Sequence, residues 1–473
     1  MESKKKELAK NTVIIGVGKM CTQFISFLLL PLYTAALSVK EYGIVDILNT
    51  YVSLLMPIFT LQLEQGIFRF LLDSRGDNKA IKNIISTVTL FMSIMSVMYA
   101  FIIFGIGKVM NIQYSELLVL NLITMAGSNI LLQVIRGLGN NLAYSVGSFV
   151  TAITTILLNI AFILFFRWGA TGMLLATAIA NAVCCVFLCI NQNLFQFFSI
   201  YSFKKDLLKQ LLKYSIPLVP NTISWWVVSA SDRTIVSFFL GIASNGLLSI
   251  AHKFSSMYNV VYNIFNLTWT ESVALYMDDK DGESYMNSVL QTVFNLFVTA
   301  NVGIIACMPF VFFILVDKSY YDAYYQIPIQ MLAALFNVIA GLYSVVYIAK
   351  KLTNQIAKTT VLAAVINVVV HLLLIKNIGL YASSISSLVA YMILAIVRYK
   401  GTKKYKNLRI PAKYILMAML SYVIVFVGYY SKNRILQLGV LIIIVIYSLL
   451  VNNELIKSCL KKVSSYYLSI KRK

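Results

Sequence analysis

Three basic residues, Lys19, Arg233 and Lys253, lie inside long apolar runs. An ionisable side chain near the centre of a bilayer costs from about 2.5 to over 10 kcal/mol, so each must face protein, water or a bound anion. A guanidinium offers a planar fork that matches phosphate oxygens, and an ammonium offers a point charge. Together they are equipment for holding a phosphorylated group. The structural alternative is that Asp232, the neighbour of Arg233, pairs with Lys253 across a helix interface and merely locks two helices together. At the rise of an α-helix, Lys19 sits roughly 10 Å into its run, Arg233 nearly 30 Å along its own, and Lys253 about 12 Å from the end of the next. That spacing puts Arg233 and Lys253 at similar depth and leaves Lys19 within snorkelling reach of the interface.

A second group surrounds Gly66. Glu64 and Arg69 are five apart and do not share one helical face well, and Gly66 reads as a helix end. Arg69 fits an interfacial anchor that obeys the inside-positive bias. Asp46, Asp232 and Glu271 are the carboxylates that could carry coupling protons or sodium, although Asp46 and Glu271 fall near the ends of apolar runs, where solvation alone explains them. Pro31, Pro217 and Pro220 break the first spans of the two halves and are candidate hinge positions, with static curvature as the plainer reading. The run Tyr320–Tyr325 is read as an interfacial aromatic belt in preference to a sugar-stacking surface.

Other chemistries find no support. His252 and His371 have no partner at metal-ligand spacing and no motif that marks a catalytic base. Of the six cysteines, Cys21, Cys184, Cys185, Cys189 and Cys307 fall in apolar runs and Cys459 in a basic tail, so no disulfide framework is expected. No metal and no cofactor is expected.

The elements that position these residues follow from composition. The chain has 473 residues, 59% hydrophobic and 12% charged, with a mean hydropathy of +0.79. A water-soluble fold could not hide that much apolar surface. With about 20 apolar residues per spanning helix, the runs give spans near 12–37, 43–66, 84–107, 117–135, 142–166, 170–198, 214–239, 245–269, 287–316, 325–348, 357–375, 378–397, 412–430 and 435–452. The expected fold class is an all-α membrane protein of about fourteen transmembrane helices. The first run is too long for a signal-peptide core and is read as a retained span.

With both termini in the cytoplasm, about thirty of the 40 basic residues fall in inner segments and roughly seven in outer ones. The net charge of +22 is therefore an orientation signal, and no nucleic-acid partner is expected. The inner and outer loops are too short to fold as domains, so function must be built from the helices.

The chain also repeats. The stretch from Thr34 to Ile47 lies over that from Ser237 to Ile250, matching Leu37 with Leu240, Gly43 with Gly246 and Ile47 with Ile250. Farther on, Ile153–Asn159 resembles Val361–Asn367. An even number of spans separates equivalent helices, so the halves share one orientation and are related by a pseudo-two-fold along the membrane normal. The expected divisions are a six-helix lobe at 1–199, a second at 200–399, and two further helices with a basic tail at 400–473.

These features resemble the polysaccharide transporter or oligosaccharide flippase family, within the superfamily of multidrug extruders and lipid II flippases. The resemblance rests on Leu30-Pro-Leu-Tyr33, Glu41-Tyr-Gly43, Leu63-Glu-Gln-Gly-Ile-Phe-Arg-Phe70, Ser215-Ile-Pro-Leu-Val-Pro220 followed by Ser231-Asp-Arg233, and Ile250-Ala-His-Lys-Phe254. It runs along nearly the whole chain and implies two lobes around a cavity that opens alternately to either side of a bacterial plasma membrane. The implied cargo is an undecaprenyl-diphosphate-linked glycan, moved from the inner to the outer leaflet, with membrane lipids and a polysaccharide polymerase as implied partners. By the same resemblance the last two spans could cradle the polyprenyl tail, and Glu64 and Arg69 stand where related flippases have a charged pair at the cytoplasmic mouth, which implies a part for Arg69 in cargo entry or in an inner gate.

Two other functions stand against this one. A drug or cation antiporter of the extruder branch would favour an acidic cavity, whereas the deep charge here is mostly cationic. A membrane glycan polymerase or ligase would need a sizeable outward loop with catalytic side chains, and the longest outer stretch has neither paired carboxylates nor histidine. An enzyme is therefore not expected.

Overall fold

In a computed structural model the chain is helical throughout the described residues, which are 27–457 except 28, 110–113, 278, 280 and 351. Eleven helices among them are long and apolar enough to cross a membrane. The chain forms two compact units, Met1–Ser249 and Ile250–Lys473.

The first unit contains α1 (Leu30–Ala36), α2 (Val39–Thr60), α3 (Leu63–Asp73), α4 (Asn78–Val109), α5 (Ser115–Gly137), α6 (Asn141–Asn159), α7 (Gly169–Asn191), α8 (Lys205–Ser215) and α9 (Val219–Leu240), with the first residues of α10 (Ile242–Tyr276). Helix starts are chemically marked. Ser38 and Glu41 form a reciprocal capping box at α2, and Asn140 caps α6 through the Ala143 N–H. Pro31 and Pro220 stand in the first turns of α1 and α9, and Pro217 in that of the 3-10 turn Ile216–Leu218. There a missing N–H costs nothing. The only proline inside a helix of this unit, among the described residues, is Pro57 in α2.

The second expected span is two helices rather than one. Leu61 and Gln62 both take left-handed backbone conformations, with φ of 49° and 57°, and they separate α2 from α3. The Gln62 N–H, freed from the helical ladder, donates to Thr60 Oγ1 at 3.2 Å. Gly66 is thus not the helix end. It lies inside α3 because a Cβ there would strike the Ser215 hydroxyl of α8.

The second unit holds the rest of α10, then α11 (Gly282–Leu315), α12 (Ile327–Ala349), α13 (Thr353–Ile378), α14 (Tyr381–Thr402), α15 (Ala412–Tyr430) and α16 (Arg434–Val451). α9 and α10 are also of spanning length, but are more polar than the eleven because residues such as Asp232, Arg233, His252 and Lys253 interrupt them. The expected first span lies mostly outside the described residues.

Two features of this unit depart from the sequence reading. Arg398, counted by charge pattern among the inner-loop cations, is inside α14 and only 3% exposed. Its guanidinium donates to Thr360 Oγ1 at 3.0 Å, Thr359 Oγ1 at 3.3 Å and the Ala340 carbonyl at 3.4 Å. Small residues make the room, since Ala340, Ala363 and Ala395 pack together here. The second departure is the run Tyr320–Tyr325, which is not a simple belt. Tyr320 and Tyr324 are buried, and Tyr324 stacks on Tyr429 with centroids 4.1 Å apart. Each hydroxyl donates to the other's carbonyl, Tyr324 Oη to Tyr429 O at 3.1 Å and Tyr429 Oη to Tyr324 O at 2.7 Å. This loop is thereby clamped to the end of α15. Removing one buried hydroxyl leaves a carbonyl without its donor, so Tyr429→Phe should lower the stability of the detergent-solubilised protein by about 1–2 kcal/mol, read as a fall in thermal midpoint.

Candidate functional site

An ion pair deep in the first unit joins two of the residues singled out above. Asp46 lies two turns into α2, roughly 10 Å from its start, and Arg233 lies roughly 21 Å along α9. Arg233 Nε stands 3.1 Å from Asp46 Oδ2, with both side chains about four-fifths buried. Asn245, at the start of α10, donates to the same carboxylate oxygen at 3.2 Å and to the Gly43 carbonyl at 3.3 Å. A carboxylate in this position therefore receives both a counter-charge and a neutral donor, which a buried charge requires.

The pair is the middle stitch of a longer seam. Gly43, Asp46, Thr50 and Ser53 follow one another at helical spacing along one face of α2. Farther along that face, Trp226 Nε1 of α9 donates to the Thr50 carbonyl at 3.1 Å and to Ser53 Oγ at 3.0 Å. At its other end the backbones of α2 and α10 touch. A Cβ on Gly43 would fall on the Ile242 carbonyl, and one on Gly246 would fall on the Val39 carbonyl. The contact is reciprocal between positions that the sequence repeat aligns, and only glycine permits it on either side.

One residue along from each member of the pair, Ile47 and Thr234 line a hollow of about 320 Å³ together with Tyr51, Tyr114 and Ser237 among others. The hydroxyls of Thr234 and Ser237 are buried and find no hydrogen-bond partner among the described residues. Two unsatisfied hydroxyls thus line one small cavity.

The remaining predicted residues are placed as follows. Asp46 is not a solvated span-end acid; it is the partner of Arg233. Asp232 is buried, and its carboxylate accepts the backbone N–H of Arg233 at 2.9 Å. Lys253 is half-buried in the part of α10 that belongs to the second unit, and Glu271 is exposed. Arg69 is surface-exposed and pairs with Asp73 one turn on, while Glu64 has one buried carboxylate oxygen without a hydrogen-bond partner among the described residues. Lys19 lies outside the described residues. Asn245, Trp226 and Arg398 were missed by sequence reasoning. The spacing Gly43, Asp46, Thr50 and Ser53 could have shown the polar seam, but nothing marked Asn245 as its donor.

Residues 8–270 match the model of a family described as polysaccharide biosynthesis protein. No curated protein matches the chain in sequence. Among solved structures, the chain is similar to the lipid II flippase MurJ in an inward closed conformation, with a TM-score of 0.71 at 16% identity over 95% of this chain and 100% of that one. It is also similar to a multidrug resistance MATE transporter of the MOP superfamily, inward-facing, with a TM-score of 0.67 at 14% identity, covering 81% of this chain and 94% of that one. A third is a MOP superfamily transporter from Pyrococcus furiosus described as having a binding pocket of reversed polarity, with a TM-score of 0.57 at 14% identity over 84% of this chain and 95% of that one. The fold is that of this superfamily.

Two predictions follow from the seam. Gly246→Ala places a methyl group against backbone that cannot swing away, and should cost at least 1–3 kcal/mol, seen as a lower thermal midpoint and poorer recovery from the membrane. Asp46→Asn or Arg233→Gln alone should each destabilise by about 3 kcal/mol through the charge left behind. The double variant should lose less than the sum of the singles, by roughly 1–3 kcal/mol, in a thermal double-mutant cycle.

Proposed function

Because the chain belongs to the polysaccharide biosynthesis protein family, we propose that it is a flippase that carries a polyprenyl-diphosphate-linked oligosaccharide from the inner to the outer leaflet by alternating access. The reading places about fourteen spans in the plasma membrane of a bacterium, with both termini inside. The fold it shares with a lipid II flippase and with MATE transporters supports transport over catalysis.

The observation that carries the proposal is Arg233, a guanidinium most of the way along a spanning helix, paired with the Asp46 carboxylate one residue along from the lining of a cavity. A diphosphate presents more negative charge and more acceptor oxygens than Asp46, and the planar fork of Arg233 suits it. The cargo's anionic group takes the place of Asp46, and Asn245 continues to satisfy the released carboxylate. Lys253 and Lys19 are the further cations assigned to this cargo, and Arg69 to its entry.

The hydrocarbon needs a different surface. In the second unit an apolar hollow of about 600 Å³ is lined by Phe294, Leu335, Ile339, Met392, Ala418 and Met419, among others. Its lining includes α15, one of the two helices beyond the repeat. Such a groove can hold isoprenoid units while the headgroup moves.

The test is translocation of a fluorescent polyprenyl-diphosphate disaccharide in proteoliposomes. Arg233→Ala should reduce the rate at least about 100-fold, as expected for loss of a charge-assisted contact. The swapped variant Asp46→Arg with Arg233→Asp distinguishes cargo contact from scaffolding: it restores an ion pair and should restore thermal stability without restoring translocation. A swapped protein that flips at the normal rate would make the pair structural and remove Arg233 from the path.

A further inference from the structure

A third hollow, in the second unit, differs from the others in its chemistry. It encloses about 260 Å³ and is lined by Gln291, Asn295, Tyr414, Asn452, Asn453 and Glu454, among others. These residues come from three places in the chain: α11 nine to thirteen residues after its start, the beginning of α15, and the residues just past the end of α16. The loop that enters α15 at this end carries Lys403, Lys404, Lys406 and Arg409, the pattern of a cytoplasmic face.

The polar groups are poised rather than spent. Asn295 is 5% exposed, and its side-chain amide makes no hydrogen bond among the described residues. Its amide is therefore open on the hollow's wall, able both to donate and to accept. Asn452 uses its amide nitrogen, donating to Thr299 Oγ1 and to the Ser448 carbonyl, each at 3.0 Å, which leaves its oxygen as an acceptor. Gln291 and the Tyr414 hydroxyl add a further carboxamide and a group that both donates and accepts. Among the described residues no basic side chain lines the hollow, and Glu454 does. The site therefore disfavours phosphate and suits neutral hydroxyls, which pair with carboxamides as donor and acceptor at once.

The hollow opens beside lipid-facing surface, since Leu449 and Leu450 of α16 are 55% and 69% exposed. We propose that this hollow is a site for the uncharged sugar head of a membrane glycolipid, whose acyl chains lie along the outer face of α16. The hollow shares no lining residue with the apolar one assigned to the cargo's hydrocarbon, and its occupancy does not depend on that assignment. The Glu454 carboxylate disfavours a sugar joined directly to diphosphate.

Equilibrium binding of radiolabelled monoglucosyl-diacylglycerol to the full-length protein in phosphatidylethanolamine nanodiscs tests it. Unlabelled monoglucosyl-diacylglycerol should compete at least about tenfold better than diacylglycerol with the same chains, and better than phosphatidylglycerol or glucosyl-diphospho-polyprenol. Asn295→Leu, which conserves volume, should weaken binding at least about fivefold. Gln291→Leu, at a half-buried position that does not threaten folding, should do the same and keep the result interpretable if Asn295→Leu does not fold. The proposal is overturned if diacylglycerol competes equally, if phosphatidylglycerol or the diphosphate lipid binds more tightly, or if the folded variants bind the glycolipid as the parent protein does.

Discussion

A carboxylate buried in an apolar helix demands donors before anything around it can settle, and the packing at Asp46 follows from that demand. Arg233 supplies the charge and Asn245 the neutral hydrogen bond. Asn245 would not reach if α2 and the start of α10 were kept apart by side chains. Gly43 and Gly246 remove that obstacle, each receiving the other helix's backbone where a methyl group would stand. Close approach, ion pair and the Trp226 hydrogen bonds are successive contacts along one helical face, so the loss of one strains its neighbours. In a bilayer this matters more than in water, because the hydrophobic effect does not draw helices together and packing with polar contacts must do so.

Much of the architecture was legible because a bilayer imposes a simple rule on sequence. Apolar runs of spanning length give the helices with little help from tertiary structure. What the runs hide is where a helix breaks without punctuation. Leu61 and Gln62 carry neither glycine nor proline, yet they take left-handed conformations, held because Phe59 and Leu63 on either side are completely buried. Tertiary packing overrides local preference there. The alignment of Gly43 with Gly246 was legible, but its meaning was not: the sequence shows that two glycines correspond, and only the structure shows that they touch.

The site was legible in half. A cation deep in a span is conspicuous, and Arg233 was identified on that ground. Its partner was discounted because Asp46 lies close enough to a span end for water to account for it. Arg398 erred in the opposite direction, since charge counting put it in a loop while Thr359, Thr360 and three alanines built it a buried seat. Position along an apolar run does not decide whether a charge is solvated. The sizes of the side chains opposite it do, and those become neighbours only after folding. The tyrosines of the outer loop make the same point, because Tyr324 and Tyr429 are far apart in sequence and their reciprocal hydrogen bonds leave no local signature.

On the flippase reading, the acid beside Arg233 has a purpose that a search for cationic sites alone would overlook. A lone guanidinium in the membrane would hold the resting protein in a costly state, or bind the diphosphate so firmly that release became slow. A carboxylate counter-ion lowers the resting cost and competes with the cargo, so that binding is an exchange between two anions rather than the filling of a vacant charge. Asp46 suits that exchange because it does not depend on Arg233 alone: Asn245 still donates to it when the guanidinium turns away. Strength of binding and ease of release are then set by the same three side chains, and by the glycine contact that holds them within reach.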